Sequence, residues 1–341
     1  MKVFMLTEMP PELAPPGVRR RYEHFSDWLA GHGIDWSHEA ILTPDEASSS
    51  KITRVKIVLK KLHHLDRTLP REAVVLVLGL GAVHMLFLAV YLRFASGLRR
   101  RVAYDTCDSW LLQVKARLRT GGLPLALPAV AGLVLQTLLG RSLFVSYISV
   151  RDQQADRWVN FHRSAFVVSP VAPRELQDAE SLGAVIGRIK RVSVSADYEA
   201  FHNHEGMKFL RDAWESPNLE RGDLELHLYG KGEPIRIADS IFVGWADDIS
   251  EIYQGNTAVY IPNMHGSGVP NKLIDAISAR RPVIVHRSVS GGFENNSLVF
   301  VFDNEAQLLA NLRRLVDLDF VDEGTASSKA VSEIPLWMAK N

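Results

Sequence analysis

The stretch "AVVLVLGLGAVHMLFLAVYL", from Ala73 to Leu92, constrains this chain more than any other. It is apolar for about the length of a membrane span. Arginines flank it and could anchor such a span. The rival reading divides it into a strand "AVVLVLG", a Gly-Leu-Gly turn, a buried helix to about Ala95 and a further strand, "RRVAYD". Two glycines in the middle and the immediate return to "VAYD" favour this second reading. Parallel strands buried on both faces read as continuous apolar runs. The stretch therefore predicts a βαβ unit in a parallel sheet.

The surrounding sequence extends that pattern. "KVFMLT" reads as a buried strand, and "IDWSHEAIL" as the next. Between them Tyr22, Phe25, Trp28 and Leu29 recur at helical spacing before a Gly-His-Gly stop. A second apolar stretch, "GGLPLALPAVAGLVLQTLLG", holds two prolines near its start, which argue against a full span. It reads either as a helix packed on the sheet or as one dipping into a bilayer surface, since the basic "KARLR" precedes it. A composition change at "SAFVVSPVAPREL" marks a boundary, after which a fresh α/β pattern runs through "HEGMKFLRDAWES", "LELHLYGKG", "IFVGWADDISEIYQG" and "TAVYIPN". With 341 residues, two domains are expected. We place them at 1–172 and 173–320, with a tail at 321–341 in which Trp337 is a candidate anchor onto the first domain.

Charge narrows the partners. Lys plus Arg and Asp plus Glu both number 39, so no nucleic-acid partner is expected. The basic clusters "KITRVKIVLKKLHHLDR", "LRRR" and "KARLR" all lie in the first half and point to a membrane surface. A single cysteine, Cys107, excludes an internal disulfide and a cysteine zinc cluster. "MKVFMLTE" is too short an apolar run for a secretory leader, and a cytoplasmic location is expected.

The chemistry concentrates in "MHGSGVPNKLIDAISARRPVIV" (Met264 to Val285). A strand leads to a Gly-Ser-Gly turn, then to a helix expected from about Val269 to Ala279, with Pro270 in its first turn. The positive end of such a helix, with unpaired N–H groups near glycines, suits an anion. Asn271, Lys272 and Asp275 fall within an arc of roughly 100°, with Leu273, Ile274 and Ile277 opposite. That set suits a sugar nucleotide, the turn and Lys272 taking the diphosphate and the carboxylate the ribose. A surface helix with an ion pair at i, i+3 is the plainer account.

This stretch resembles the donor-site motif of family 4 retaining glycosyltransferases of the GT-B fold, as "P-x-x-x-G-S-G-V-x-N-K-L-x-D-A-x-x-x-x-x-P-V-I". "VYIPN", "LELHLYGKG", "FVGWADDISEIYQG" and "VIGRI" are similar to other segments of that family's second domain. "VAYDTCDSW" and "VSYISVRD" are similar to strand ends of its first. The resemblance implies two Rossmann-like α/β domains facing across a cleft. It implies transfer of a sugar from a UDP- or GDP-linked donor to a glycan or lipid-linked acceptor, without metal or added cofactor. It places Asp275 on the ribose and makes Gly266, Ser267, Gly268, Asn271 and Lys272 donor-binding residues, with Ser267 standing where many members carry a glutamate that contacts the donor sugar. Arg188 resembles the family's diphosphate-binding arginine; Ser193 stands where a lysine follows it, and Lys190, Arg191, Lys231 and Lys272 are candidates to compensate. Lys272 and Arg188 would stabilise charge on the leaving phosphate. Asn203 is a further donor-cleft candidate and Glu294 another. On the acceptor side Cys107 takes the place of a family histidine, with Asp105 and Asp108 beside it as candidates to bind or orient the acceptor; caps on a strand-to-helix turn are the structural alternative. His202 and His265 read as polar surface.

Two rivals remain at this level. "LGLGAVH" with Asp105 some 20 residues on has the outline of a dinucleotide fingerprint, but His84 fills its third glycine position. A non-catalytic, membrane-associated assembly protein would use the two apolar runs.

Overall fold

The computed structural model describes residues 2–79, 82–139, 142–158, 165–168, 172, 176, 186–265, 269–317 and 319–321. They form two compact units, one within Met1–Pro170 and one within Val171–Ala330.

The first unit is built on six parallel strands: β1 (Lys2–Thr7), β2 (Asp35–Ala40), β3 (Val74–Leu78), β4 (Arg101–Cys107), β5 (Phe144–Tyr147) and β6 (Ala165–Val167). Their spatial order is β2-β1-β3-β4-β5-β6. The helices are α1 (Pro16–Gly31), the short α2 (Pro44–Ala47), α3 (Lys51–Thr68), α4 (Val83–Ala95), α5 (Trp110–Leu139) and α6 (Val150–Ala155). Parallel neighbours require crossovers, and these helices supply them on both faces. Phe25, Trp28 and Leu29 of α1 pack with Val3, Met5 and Leu76 on one face. Apolar residues of α3, α4 and α5 pack with Leu6, Val75, Val77 and Val102 on the other.

The 73–92 stretch is thus a fully buried strand, β3, followed by α4, whose Met85, Leu86, Leu88, Ala89 and Leu92 are buried. Among the described residues no helix is long and apolar enough to cross a membrane. The second apolar stretch is helical despite its prolines. Helix α5 breaks at Gly122, whose φ of 70° and ψ of −167° start a new helical segment. Pro124 then stands in a first turn, where its missing N–H has no intrahelical partner to lose.

The second unit holds β8 (Arg191–Asp197), β9 (Glu225–Lys231), β10 (Ser240–Gly244), β11 (Thr257–Ile261), β12 (Val283–His286) and β13 (Val299–Phe302). They form a parallel sheet in the order β10-β9-β8-β11-β12-β13. Its helices are α7 (Phe201–Trp214), the short α8 (Ser250–Tyr253), α9 (Asn271–Ser278) and α10 (Glu305–Asp317). Trp214, Leu210 and Met207 of α7 join Leu308, Leu312 and Leu315 of α10 over one face of the sheet. Leu273, Ala276 and Ile277 of α9 cover the other. The expected strand in "VIGRI" is not part of this sheet: β7 (Ile186–Arg188) pairs antiparallel with β14 (Asp319–Val321), and β8 opens the parallel array. Helix α9 is shorter than expected, with Pro270 as its N-cap rather than inside its first turn.

Candidate donor site

Open α/β sheets bind ligands beyond the carboxyl ends of their strands, where the strand order reverses. In the second sheet that reversal lies between β8 and β11. Gly206 brings α7 directly onto this end: a Cβ there would stand 1.9 Å from the Pro262 carbonyl oxygen. Only a residue without a side chain permits that approach.

Several expected residues meet at this point. Asp197 ends β8, and its backbone carbonyl accepts a 2.7 Å bond from Nδ2 of Asn203, which is 1% exposed. Lys231 ends β9 opposite Asp197 and lies 3.9 Å from the Glu199 carboxylate. On α9, Lys272 keeps some exposed surface while its ammonium sits deep among packed atoms. That burial lowers its pKa, against the charges of Asp275 and Asp197, which pull it upward. Asp275 is 2% exposed, so the carboxylate lies inside the packed helix surface rather than on an open polar face. The N-cap residue of α9, Pro270, contributes no side-chain cap, and the amino end of a helix suits an anion. Asn271 begins the same helix, while Gly266, Ser267 and Gly268 lie outside the described residues. Glu205 of α7 pairs with His265 just before that turn, a contact between residues 60 apart that no local motif announces. Glu294 is engaged by the Ser290 hydroxyl.

Arg188 is separated from this group. It precedes β8, and its carbonyl accepts a 3.1 Å bond from Asn256, which precedes β11. Seven residues of strand, about 20 Å at 3.3 Å per residue, lie between that end and Asp197. Lys190 and Arg191 share the amino end, where Arg191 binds the Thr257 hydroxyl and the Glu251 and Gln254 carbonyls. Ser193 is fully buried inside β8. The placement of Arg188 on the diphosphate is therefore corrected: an "I-G-R-I" string has the composition of a strand and turn, but the following strand claims the sheet.

Asp105 needs a second correction. It is fully buried, and its Oδ1 and Oδ2 accept bonds of 2.7 and 3.0 Å from Arg21, itself 1% exposed. Ser146 donates a third, at 2.6 Å. Arg21 also donates to the Val168 and Tyr147 carbonyls, at 2.5 and 3.3 Å. This pair ties α1 to the carboxyl ends of β4, β5 and β6, and leaves no carboxylate surface for an acceptor or for a nicotinamide ribose. Asp108 follows in the turn to α5 and stays partly exposed. Cys107 adopts a positive φ of 64°, and burial pushes its thiol pKa well up, leaving it a poor nucleophile. The α5 amino terminus is capped by Asp156, which accepts from the Ser109 hydroxyl and from the backbone of Trp110 and Leu111.

Residues 192–317, nearly the whole of the second sheet unit, match the family model described as glycosyl transferases group 1. The described donor-site candidates Asp197, Asn203, Lys231, Asn271, Lys272 and Asp275 all lie inside the matched stretch. Its start downstream of Arg188 agrees with the strand order. Solved glycosyltransferase structures resemble the chain over 93% of its length. They include Alr3699/HepE from Anabaena in complex with UDP (12% identity, 90% of that chain, TM-score 0.58). Trehalose 6-phosphate synthase from Burkholderia multivorans gives 11%, 91% and 0.61. The apo lipopolysaccharide outer core galactosyltransferase WaaB gives 13%, 90% and 0.57. At these identities the likeness shows the fold, which is GT-B: two Rossmann-like units, each on a six-stranded parallel sheet. No curated protein sequence matches the chain.

Proposed function

We propose that this protein transfers a sugar, with retention at the anomeric carbon, from a UDP- or GDP-linked donor to a polysaccharide or lipid-linked acceptor. The second unit holds the donor and the first unit the acceptor. The observation that carries this reading is the position of α9, with Lys272 and Asp275, directly after β11 at the reversal point of a sheet whose residues match the glycosyl transferases group 1 model. The UDP in the Alr3699/HepE structure supports the same donor class. In the transfer, the bond from the anomeric carbon to the diphosphate oxygen breaks and negative charge grows on the leaving phosphate. The Lys272 cation and the amino-end N–H groups of α9 meet that charge without a metal. Because fixed dipoles need no reorganisation, they favour the transition state over the bound donor. Asp275 takes the ribose hydroxyls.

The acceptor reading extends to a peripheral position on the cytoplasmic face of a bacterial membrane. Helices α3, α4 and α5 pack side by side on one face of the first sheet. Their outer surface exposes Leu59, Phe87, Phe94, Leu123 and Leu127 among lysines and arginines. Basic residues beside exposed apolar ones suit an anionic lipid surface.

A calorimetric binding screen of UDP, GDP and their sugars tests the donor reading, with Lys272→Met and Asp275→Asn as variants. Micromolar binding of one nucleotide, weakened at least about tenfold by Lys272→Met, is expected from loss of one charge-assisted phosphate contact. Absence of binding by every nucleotide refutes it. Flotation with phosphatidylglycerol vesicles at low salt tests the membrane part separately.

A further inference from the structure

The outer edge of the second sheet is built differently from the other sheet edges of this chain. Its last strand, β10, pairs with β9 on one side and has no strand on the other. Edge strands present unpaired N–H and C=O groups, and proteins blunt them with charges, prolines or a covering element. The first sheet ends in β2, which carries exposed Asp35 and Glu39, and the far edge of the second sheet, β13, is almost wholly buried. Strand β10 has neither protection. It holds no charge and no proline, and Ile241, Phe242 and Val243 are 46%, 50% and 44% exposed. Successive strand residues point to opposite faces, so this edge lies open on both. Trp245, just beyond it, is 71% exposed. A register shift between Phe242 and Gly244 leaves Val243 without a partner on β9. Such a bulge bends the strand and limits a backbone ladder to the residues before it, so side chains must supply most of a contact here.

We infer that this edge binds a second copy of the chain, the two β10 strands meeting antiparallel about a two-fold axis. Area and charge select that occupant. Large apolar side chains carry about 150–250 Å² each, so the four leave roughly 400–500 Å² open per copy. Two copies together, with the flanking backbone and charged residues, come to the lower bound of a specific interface, about 1,200 Å². The charges make the patch complementary to itself. Exposed Arg236 precedes the strand, and exposed Asp247 and Asp248 follow it. A two-fold contact lays each end of one strand against the opposite end of the other, so the cation meets the carboxylates twice. Neither Arg236 nor Asp247 has an ion-pair partner among the described residues, whereas Asp239 is already paired with Arg221 at 3.1 Å. An anionic lipid surface would be repelled by the acidic end of the same patch. The edge lies two strands from the reversal point between β8 and β11, and the inference is independent of what that point binds.

The test is sedimentation equilibrium of the full chain across about 1–300 µM. The expected result is a reversible monomer–dimer equilibrium with a micromolar dissociation constant, as small interfaces give. Val243→Lys brings two like charges together at the contact, and Trp245→Ala removes its largest exposed side chain; each should weaken the dimer at least about tenfold. Both positions are exposed, so thermal melts in dilute solution should move by no more than about 2 °C, which identifies the variants as folded. Arg236→Glu and Asp247→Lys should each weaken self-association, and an equal mixture of the two should associate more tightly than either alone, because the mixed pair matches charge at both ends. A chain that stays monomeric throughout, a dimer unchanged in folded Val243→Lys and Trp245→Ala, or association that runs past the dimer would each overturn the inference. So would a mixture no tighter than its components. Loss of flotation with phosphatidylglycerol vesicles in Val243→Lys, with the unaltered chain monomeric, would give this edge to lipid instead.

Discussion

Replacing Asp105 by asparagine separates a structural role from a catalytic one. Asp105 and Arg21 are fully buried, and the carboxylate receives two guanidinium bonds and one hydroxyl bond. The change leaves the Arg21 charge inside the protein, with the Val168 and Tyr147 carbonyls as its remaining acceptors. Breaking one partner of a buried pair costs about 3–5 kcal/mol. Against a total stability of about 5–15 kcal/mol, that is a large fraction. For a unit of this size, about 2–4 °C of melting temperature goes with each kcal/mol, so Asp105→Asn should lower the first unit's transition by about 6–20 °C. Scanning calorimetry reads this directly, and nucleotide affinity at the second unit should barely move. The paired change Arg21→Met with Asp105→Leu removes both charges and should recover much of the loss, since apolar replacements of buried ion pairs are often neutral or better. An Asp105→Asn protein that melts with the unaltered one yet has lost transfer would refute the argument and return Asp105 to the acceptor.

Other consequences concern the donor end. Burial holds the Lys272 pKa below that of free lysine, so the apo protein carries an electrostatic penalty at neutral pH. With the folded value depressed, stability from this group rises with pH through the window ending near the unfolded value of 10.5. A bound diphosphate raises that pKa again, so in the alkaline window below 10.5 nucleotide binding should take up protons. Calorimetry in two buffers of different ionisation heat measures this, and Lys272→Met should abolish it. Gly206→Ala forces a Cβ to within 1.9 Å of the Pro262 carbonyl. It should cost about 1–3 kcal/mol and weaken nucleotide binding by pushing α7 off β11, as a melt and a titration together would show. Arg188→Ala should leave nucleotide affinity within about twofold, because Arg188 lies at the amino end of the sheet; a tenfold loss would return it to the site.

Much of the fold could be read from the chain. Strands buried on both faces must be apolar throughout, so β3 and its crossover helix stood out in the 73–92 stretch. The apolar face of α9 was set by 3.6-residue spacing, and Leu273, Ala276 and Ile277 are buried as that spacing requires. Local signals failed where partners are distant in sequence. Nothing near Asp105 announces that Arg21, 84 residues earlier, will consume its carboxylate. Nothing near Arg188 announces that its strand pairs with residues 319–321 rather than with the main sheet.

The sequence by itself determined the secondary structure, the parallel α/β class and the candidate nucleotide segment, because each depends on periodicity and turn chemistry within a few tens of residues. The tertiary structure decided which polar residues are available for a ligand. Availability depends on strand order and burial: strand order sets which connections meet at a reversal point, and it places α9, with Lys272 and Asp275, directly after β11. Burial decides whether a charge faces a ligand or is spent on another side chain, as Asp105 is on Arg21.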